Sequence, residues 1–485
     1  MKDSIKKNLG LSSAYQLLNM LIPLVTTPYL SRKLGAAGIG TYSYSYAVAQ
    51  YFSIFILLGL NNYGVREIAK AKNNIDLLSS VFFEIYSMQA FFGILVTIAY
   101  CFYAIHYAIN NSAAIALILL IFSSSIDINW FFTGLEKFKI IVIRNAIVKL
   151  LGTISIFLFI RSSNDAVLYC YIMSIQTFLS QAILWPHLKK EIRIVIPNFK
   201  NVIRHFKPNL LLTITVISVT IFKYIDRVML GLWSSIDQVG FYESSEKIII
   251  VPQLLVIALG NVMLPRISNK LAAGLDDDYE SLYRSISFAL FVVTTIGFGI
   301  MTVAKEFVPL FYGYGYSVCI HMFYILIPCS FFFAFATMIR TQYILPHGLD
   351  SIYIVSGVIG AIVNVVLNSI LIPSIGITGA ALGTLAAEAV VCIYQVLSVK
   401  KFIPLKTCLI KALPFMISGC LMFIIVGEIG VMYSLWVSLF LKILIGAVIY
   451  TLFLLIFDNL LHVNLMKEIG VIEIYNNIIH RKVGR

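Results

Sequence analysis

Charge is what this chain has least of. Of its 485 residues only 12% are Asp, Glu, Lys or Arg, while 60% are hydrophobic, and the mean hydropathy is +0.91. Soluble domains run at about 25% charged and about 45–50% apolar. A water-soluble fold of this size could not cover its surface with so few charges, so that class is excluded. The hydrocarbon of a bilayer removes the need, since each helical span wants roughly 20 mainly apolar residues. Cysteine is also thin. The seven (Cys101, Cys170, Cys319, Cys329, Cys392, Cys408, Cys420) form no CxxC pair, and in apolar runs free cysteine behaves as a small hydrophobe. That pattern supports neither a disulfide framework nor a metal site, and the seven histidines are equally scattered. No metal and no cofactor is expected. The opening MKDSIKKNLG has a basic start but no compact apolar region with a cleavage site. It reads as the cytoplasmic lead-in to a first span, not a removable signal.

What is present is a series of apolar runs that fits about fourteen helices. They fall near 8–30, 40–60, 78–103, 113–132, 141–160, 166–186, 208–230, 241–264, 285–304, 318–339, 352–372, 376–399, 410–427 and 434–457. On this map 27 of the 36 basic residues fall on one side, and only Arg32, Lys33, Arg161 and Lys305 on the other. Basic residues stay cytoplasmic, so both termini are expected there. This bias absorbs most of the +13 net charge, and no nucleic acid is expected as a partner. Two stretches look interfacial or connecting. In PNFKNVIRHFK (197–207), Phe199, Val202, Ile203 and Phe206 share one helical face, and Lys200, Arg204 and Lys207 the other; the tail from Asn459 to Arg485 is similarly mixed. The Asp276-Asp277-Asp278 run reads as a solvated loop.

The sequence resembles itself at an offset of 200. LSRKLGAAGIGTY (30–42) is similar to IDRVMLGLWSSIDQVGFY (225–242), with Gly40 and Tyr42 matching Gly240 and Tyr242, and Arg66 and Lys70 matching Arg266 and Lys270. Six predicted helices separate the copies. Six is even, so the halves keep one orientation. Parallel repeats of this kind are a transporter feature, with the substrate site between them.

Four segments carry a family resemblance: TTPYLSRKLGAAGIGTYSYS, WFFTGLEKFKIIVIRN, IDRVMLG with VGFYESSEKI, and GITGAALGTLAAEAV. They resemble the polysaccharide-transporter branch of the multidrug/oligosaccharidyl-lipid/polysaccharide (MOP) exporter superfamily, known for Wzx-type O-antigen and capsule repeat-unit flippases. The resemblance implies an all-α polytopic membrane protein of MATE-like fold: two parallel six-helix repeats plus two C-terminal helices. The expected organisation is a six-helix lobe over 1–200, a second over 201–400, two further spans over 401–458 and a cytoplasmic or interfacial tail over 459–485. The resemblance also implies an undecaprenyl-pyrophosphate-linked oligosaccharide, moved by alternating access to the outer leaflet of the bacterial inner membrane. Its product would feed O-antigen, capsule, exopolysaccharide or lipopolysaccharide biosynthesis, with a polymerase and a chain-length regulator as pathway partners.

Charges inside the spans are the candidate site residues, because each costs at least about 2.5–3.5 kcal/mol at the bilayer centre on insertion scales. Towards the cytoplasm lie Glu84, Asp127, Arg144 and Lys149, the last on the order of 13 Å into its helix. Lys149 and Arg144 suit a pyrophosphate, one as a point charge and one as a fork; alternatively Glu84 and Asp127 neutralise them. At the outer side Lys223, Asp226, Arg227, Glu243, Glu246 and Lys247 sum to zero, which favours an ion-pair network that gates. Lys223, Arg227 and Arg32 remain substrate-binding candidates there. Glu388 sits near the midplane and would carry a coupling proton or cation, with Lys442 as its structural alternative. Tyr42, Tyr44 and Tyr46 cover more than one helical face and do not make a simple sugar ladder.

The competing readings are a proton- or sodium-coupled multidrug antiporter of the same fold, a membrane enzyme of polysaccharide assembly, and a channel. Drug antiporters favour acid-lined cavities, whereas here buried bases match acids in number. The chain has no long outer loop, paired-acid motif, nucleotide loop or metal spacing, so no catalytic residue is assigned and an enzyme is not expected. A channel is disfavoured by the repeat and the lack of a filter-like motif.

Overall fold

The computed structural model describes residues 2–274, 279–430 and 433–461. Asp276 to Asp278 and the tail beyond 461 lie outside the described residues. Among the described residues every regular element is helical. The chain divides into two units, Met1–Glu243 and Ser244–Arg485.

The first unit begins with α1 (Lys2–Lys33), α2 (Gly35–Leu57), α3 (Leu60–Ala71) and α4 (Ile75–His106). Three short helices follow, α5 (Asn111–Ala116), α6 (Ile118–Ser125) and α7 (Asn129–Gly134), then α8 (Phe138–Phe159), α9 (Ala166–Ala182) and α10 (Trp185–Leu188). The unit ends with α11 (Phe199–Trp233) and the start of α12 (Ile236–Ala272). The second unit holds the rest of α12, then α13 (Tyr279–Phe311), α14 (Val318–Ile339) with a π turn at Arg340–Ile344, α15 (Asp350–Ile375), α16 (Ile377–Val399), α17 (Leu405–Gly427) and α18 (Leu435–Leu461).

Most of the predicted apolar runs fall within single helices. Twelve of the helical segments among the described residues are long and apolar enough to cross a membrane, against the fourteen spans expected. The helices at the other two runs, α1 and α11, have 32 and 35 residues. An exposed apolar stripe is explicit: Phe91, Ile94, Ile98, Phe102 and Ile105 recur every three or four residues along α4 and are all more than half exposed, the spacing of one helical face. The protein is a multi-pass membrane protein.

The expected span over 113–132 is broken. Asp127 ends the helical run because its carboxylate accepts from the Asn129 N–H at 2.8 Å, the local competition that short polar side chains offer a helix backbone. Gln89 of α4 then donates to the Ser124 and Asp127 carbonyls, each at 2.9 Å, so backbone near the break is satisfied inside protein, as a lipid environment demands. The WFFTGLEK segment follows the break and fills the core of the unit. Trp130, Phe131 and Phe132 are buried with Leu60, Ile68, Phe82 and Ile85. Trp130 donates to Gln89 at 3.0 Å and lies on Gly64 so closely that a Cβ there would stand 2.7 Å from its ring. The segment thus fastens α7 to α3.

The repeat has a structural counterpart at the start of α12. A Cβ on Gly40 would stand 1.8 Å from the Ile236 carbonyl oxygen, and one on Gly240 would stand 2.0 Å from that of Ala36. The matched glycines of the two copies therefore meet backbone to backbone within the first unit. The expected interfacial stretch over 197–207 is the opening of the long helix α11, capped by the Asn198 side chain on the Lys200 N–H at 3.0 Å. Val202 packs on the core and Phe206 stacks on Phe92; the Phe199 side chain lies outside the described residues.

Candidate functional site

Arg144 and Lys149 stand on α8, but on different faces. Five residues at 100° each put them about 140° apart. Arg144 is buried, and its guanidinium donates to Asn129 at 3.0 Å and Asn145 at 2.5 Å. Asn129 in turn donates to Asp127 at 2.7 Å, so Asp127 reaches Arg144 through an amide. Asn145 also accepts from Ser180 of α9 at 3.0 Å. The Arg144 Nε is buried without a hydrogen-bond partner. Lys149 is half-buried and donates to the Asn19 side chain of α1 at 2.6 Å. Among the described residues no carboxylate pairs with it. A neutral amide satisfies one ammonium proton and leaves the charge uncompensated, which is the electrostatic condition for holding an anion.

Glu84 does not join this group, which corrects the four-residue cluster expected from sequence. It faces α11, because α4 packs there. Its carboxylate accepts from Ser80 and Asn201, both at 2.9 Å, and lies 3.0 Å from His205 Nε2. His205 Nδ1 meets the Tyr63 hydroxyl at 2.6 Å. This buried Tyr–His–Glu chain went unrecognised in the sequence because a lone histidine in a basic helical turn carries no pairing signal.

The cluster expected at the outer side is an ion-pair network in its first-unit part. Arg227 Nε donates to Glu243 at 2.6 Å, and Ser43 of α2 donates to the same oxygen at 2.9 Å. Asp226 is buried and accepts from the Tyr242 hydroxyl at 2.8 Å, so the DRVMLG and GFY segments bind each other. Lys223 is exposed, with its ammonium 5.2 Å from the Tyr224 ring centre. Tyr42 and Tyr46 stack at 5.4 Å, and Tyr46 meets Tyr224 edge-on at 6.0 Å, while Tyr44 points away to cover Gly231. Arg32 is exposed and donates to the Pro28 carbonyl of its own helix at 3.1 Å. Glu246 and Lys247 lie on α12 in the second unit, both half-buried.

Reversing one member of the Arg227–Glu243 pair is expected to destabilise, and reversing both to restore. The side chains are 10% and 16% exposed. Breaking such a pair costs up to about 3–5 kcal/mol, because the survivor is left buried and charged. Thermal unfolding of Arg227→Glu, Glu243→Arg and the double variant measures this; single variants as stable as the wild type would rule out a coupled pair.

In the second unit Glu388 is half-buried on α16. Lys442, the partner expected from sequence, is engaged elsewhere: it donates to Glu306 of α13 at 2.6 Å. Glu306 was missed because KEF near a helix end reads as a loop boundary.

A family model described as polysaccharide biosynthesis protein matches residues 5–271. A Shigella dysenteriae protein named "Putative O-antigen transporter" is 23% identical over 401 residues, covering 82% of this chain and 100% of that one. A structure of the lipid II flippase MurJ, in an inward closed conformation, superposes with TM-score 0.65 at 16% identity over 93% of this chain and 99% of that one. An inward-facing multidrug resistance MATE family transporter of the MOP superfamily gives TM-score 0.56 at 12% identity over 79% and 97%. At such identities the structural likeness establishes the fold, which is MATE-like as expected from the sequence.

Proposed function

The chain belongs to the polysaccharide biosynthesis protein family, and from that premise we propose that it is a flippase. Its substrate is an undecaprenyl-pyrophosphate-linked oligosaccharide, taken from the cytoplasmic leaflet to the outer leaflet by alternating access. The observation that carries the reading is Lys149, an ammonium within a membrane helix, held by an amide and matched by no carboxylate among the described residues. Lys149 receives the pyrophosphate, with Arg144 pre-oriented by Asn129 and Asn145. Arg227 and Glu243 act as a gate, Glu388 carries the coupling proton, and both termini are cytoplasmic.

The test is deletion of the gene, followed by analysis of lipid-linked oligosaccharides and surface polymer. The expected result is loss of polymer, with undecaprenyl-linked units accumulating on the cytoplasmic leaflet. A hydrogen bond to a charged group is worth about 1.5–3 kcal/mol, so Lys149→Gln should restore flipping at a rate reduced about tenfold or more. Unchanged polymer with heightened sensitivity to cationic dyes would turn the assignment to a drug antiporter. Glu388→Gln belongs in the same assay: flipping that still responds to an imposed proton gradient removes that carboxyl from the coupling role.

A further inference from the structure

A cavity of about 690 Å³ opens in the first unit between α3, α4 and α11. It shares no lining residue with the Arg144 and Lys149 site. That volume falls within the range of about 300–1,000 Å³ usual for ligand pockets. We infer that this cavity is a second anion site, which takes a phosphate- or pyrophosphate-bearing group between Arg66 and Arg204.

The argument rests on which polar groups in the cavity are already satisfied. Glu67 is paired with Lys70 at 2.7 Å. Glu84 is occupied by Ser80, Asn201 and His205. The Tyr63 hydroxyl is spent on His205. Neither acid is therefore free to neutralise the remaining cations. Arg66 comes from α3 and Arg204 from α11, both line the cavity, and both are exposed to it. Among the described residues neither guanidinium has a hydrogen-bond or ion-pair partner. Two unpaired planar forks from different helices facing one space suit the oxygens of a phosphate, which each can bind bidentately. One wall is apolar, made by Leu77, Val81 and Pro208, and Leu77 is half exposed. A ligand with an anionic head and an apolar arm matches both walls. Inorganic phosphate would match the arginines alone.

The assignment does not depend on transport, so binding is its test. The full-length protein would be placed in phosphatidylcholine nanodiscs, in a Lys149→Gln background that weakens the other proposed anion site. Farnesyl pyrophosphate, inorganic pyrophosphate and farnesol are titrated in turn. The expected result is saturable binding of farnesyl pyrophosphate, weakened at least tenfold by Arg66→Gln with Arg204→Gln and much less by the paired Arg→Lys changes. Both arginines are exposed and unpaired, so these variants keep the fold, which the unfolding temperature verifies. Farnesyl pyrophosphate binding at least tenfold tighter than inorganic pyrophosphate identifies a lipid headgroup as the source; equal affinities identify free phosphate. The proposal is overturned if no pyrophosphate binds, if farnesol binds as well as its pyrophosphate, or if the double Gln variant keeps wild-type affinity. Such a failure would leave the Lys149 flipping assay unaffected.

Discussion

Lys442→Met, made with Glu306 in place, should be strongly destabilising. The two side chains are 3% and 1% exposed and meet at 2.6 Å. Ser438 adds a hydrogen bond to the same carboxylate oxygen at 3.3 Å, and the other oxygen, Oε2, has no hydrogen-bond partner. Removing the ammonium leaves a buried carboxylate with one hydroxyl for company. Loss of one member of such a pair costs about 3–5 kcal/mol. Glu306→Gln alone strands the ammonium instead and should cost a similar amount. The double variant Glu306→Leu, Lys442→Met removes both charges and should recover most of the loss, since buried pairs replaced together by hydrophobic groups of similar volume are often near neutral. Thermal unfolding in detergent measures all three. If each single change stays within about 0.5 kcal/mol of wild type, a range ordinary for surface substitutions, the pair is not a structural anchor.

Gly40→Ala and Gly240→Ala should be nearly as damaging, for a steric reason. In each case the added methyl would meet a backbone carbonyl at 1.8 or 2.0 Å, and a carbonyl in a helix cannot rotate aside as a side chain can. Relief requires α2 and the start of α12 to separate, which would also stretch the Ser43–Glu243 bond of 2.9 Å. Overpacking usually costs about 1–3 kcal/mol, and backbone contacts place these two at the upper end. Gly299 is the control: it lies in α13 with open space around its Cβ position. There Ala should be neutral or stabilising by about 0.5–1 kcal/mol, because it restricts the unfolded chain and favours helix. Equal unfolding temperatures for all three variants would mean that the glycine contact is not tight in solution.

The helices were readable from the sequence because membrane spans leave a long, strong hydropathy signal, and the family resemblance placed them in a fold. The break at Asp127 was not, since one acid inside an apolar run looks the same whether it faces a cavity or ends a helix. Pairing was the least legible. Arg227 with Glu243 is a partner choice between adjacent helices joined by a short turn, and the charge balance pointed towards it. Lys442 with Glu306 joins residues 136 apart, and periodicity says nothing about which distant acid a base will meet. Glu84 was grouped with Arg144 on depth alone, whereas the packing of α4 on α11 turns it towards His205. The matched glycines were visible as a repeat, but that they would touch each other was not.

That contact has a consequence for synthesis. The first unit runs to Glu243, so it includes the opening turns of α12. Chains are made from the N-terminus and their domains fold as units. Gly40 is translated 200 residues before the partner that α2 packs against. Until Gly240 leaves the ribosome, the small-residue face of α2 has no mate, and Ser43 and Arg227 wait for Glu243. A nascent chain halted at the end of α11 would hold nearly all of the first unit's helices, yet lack its closing contact. Completion of the N-terminal half is therefore timed by the arrival of the first helix of the next.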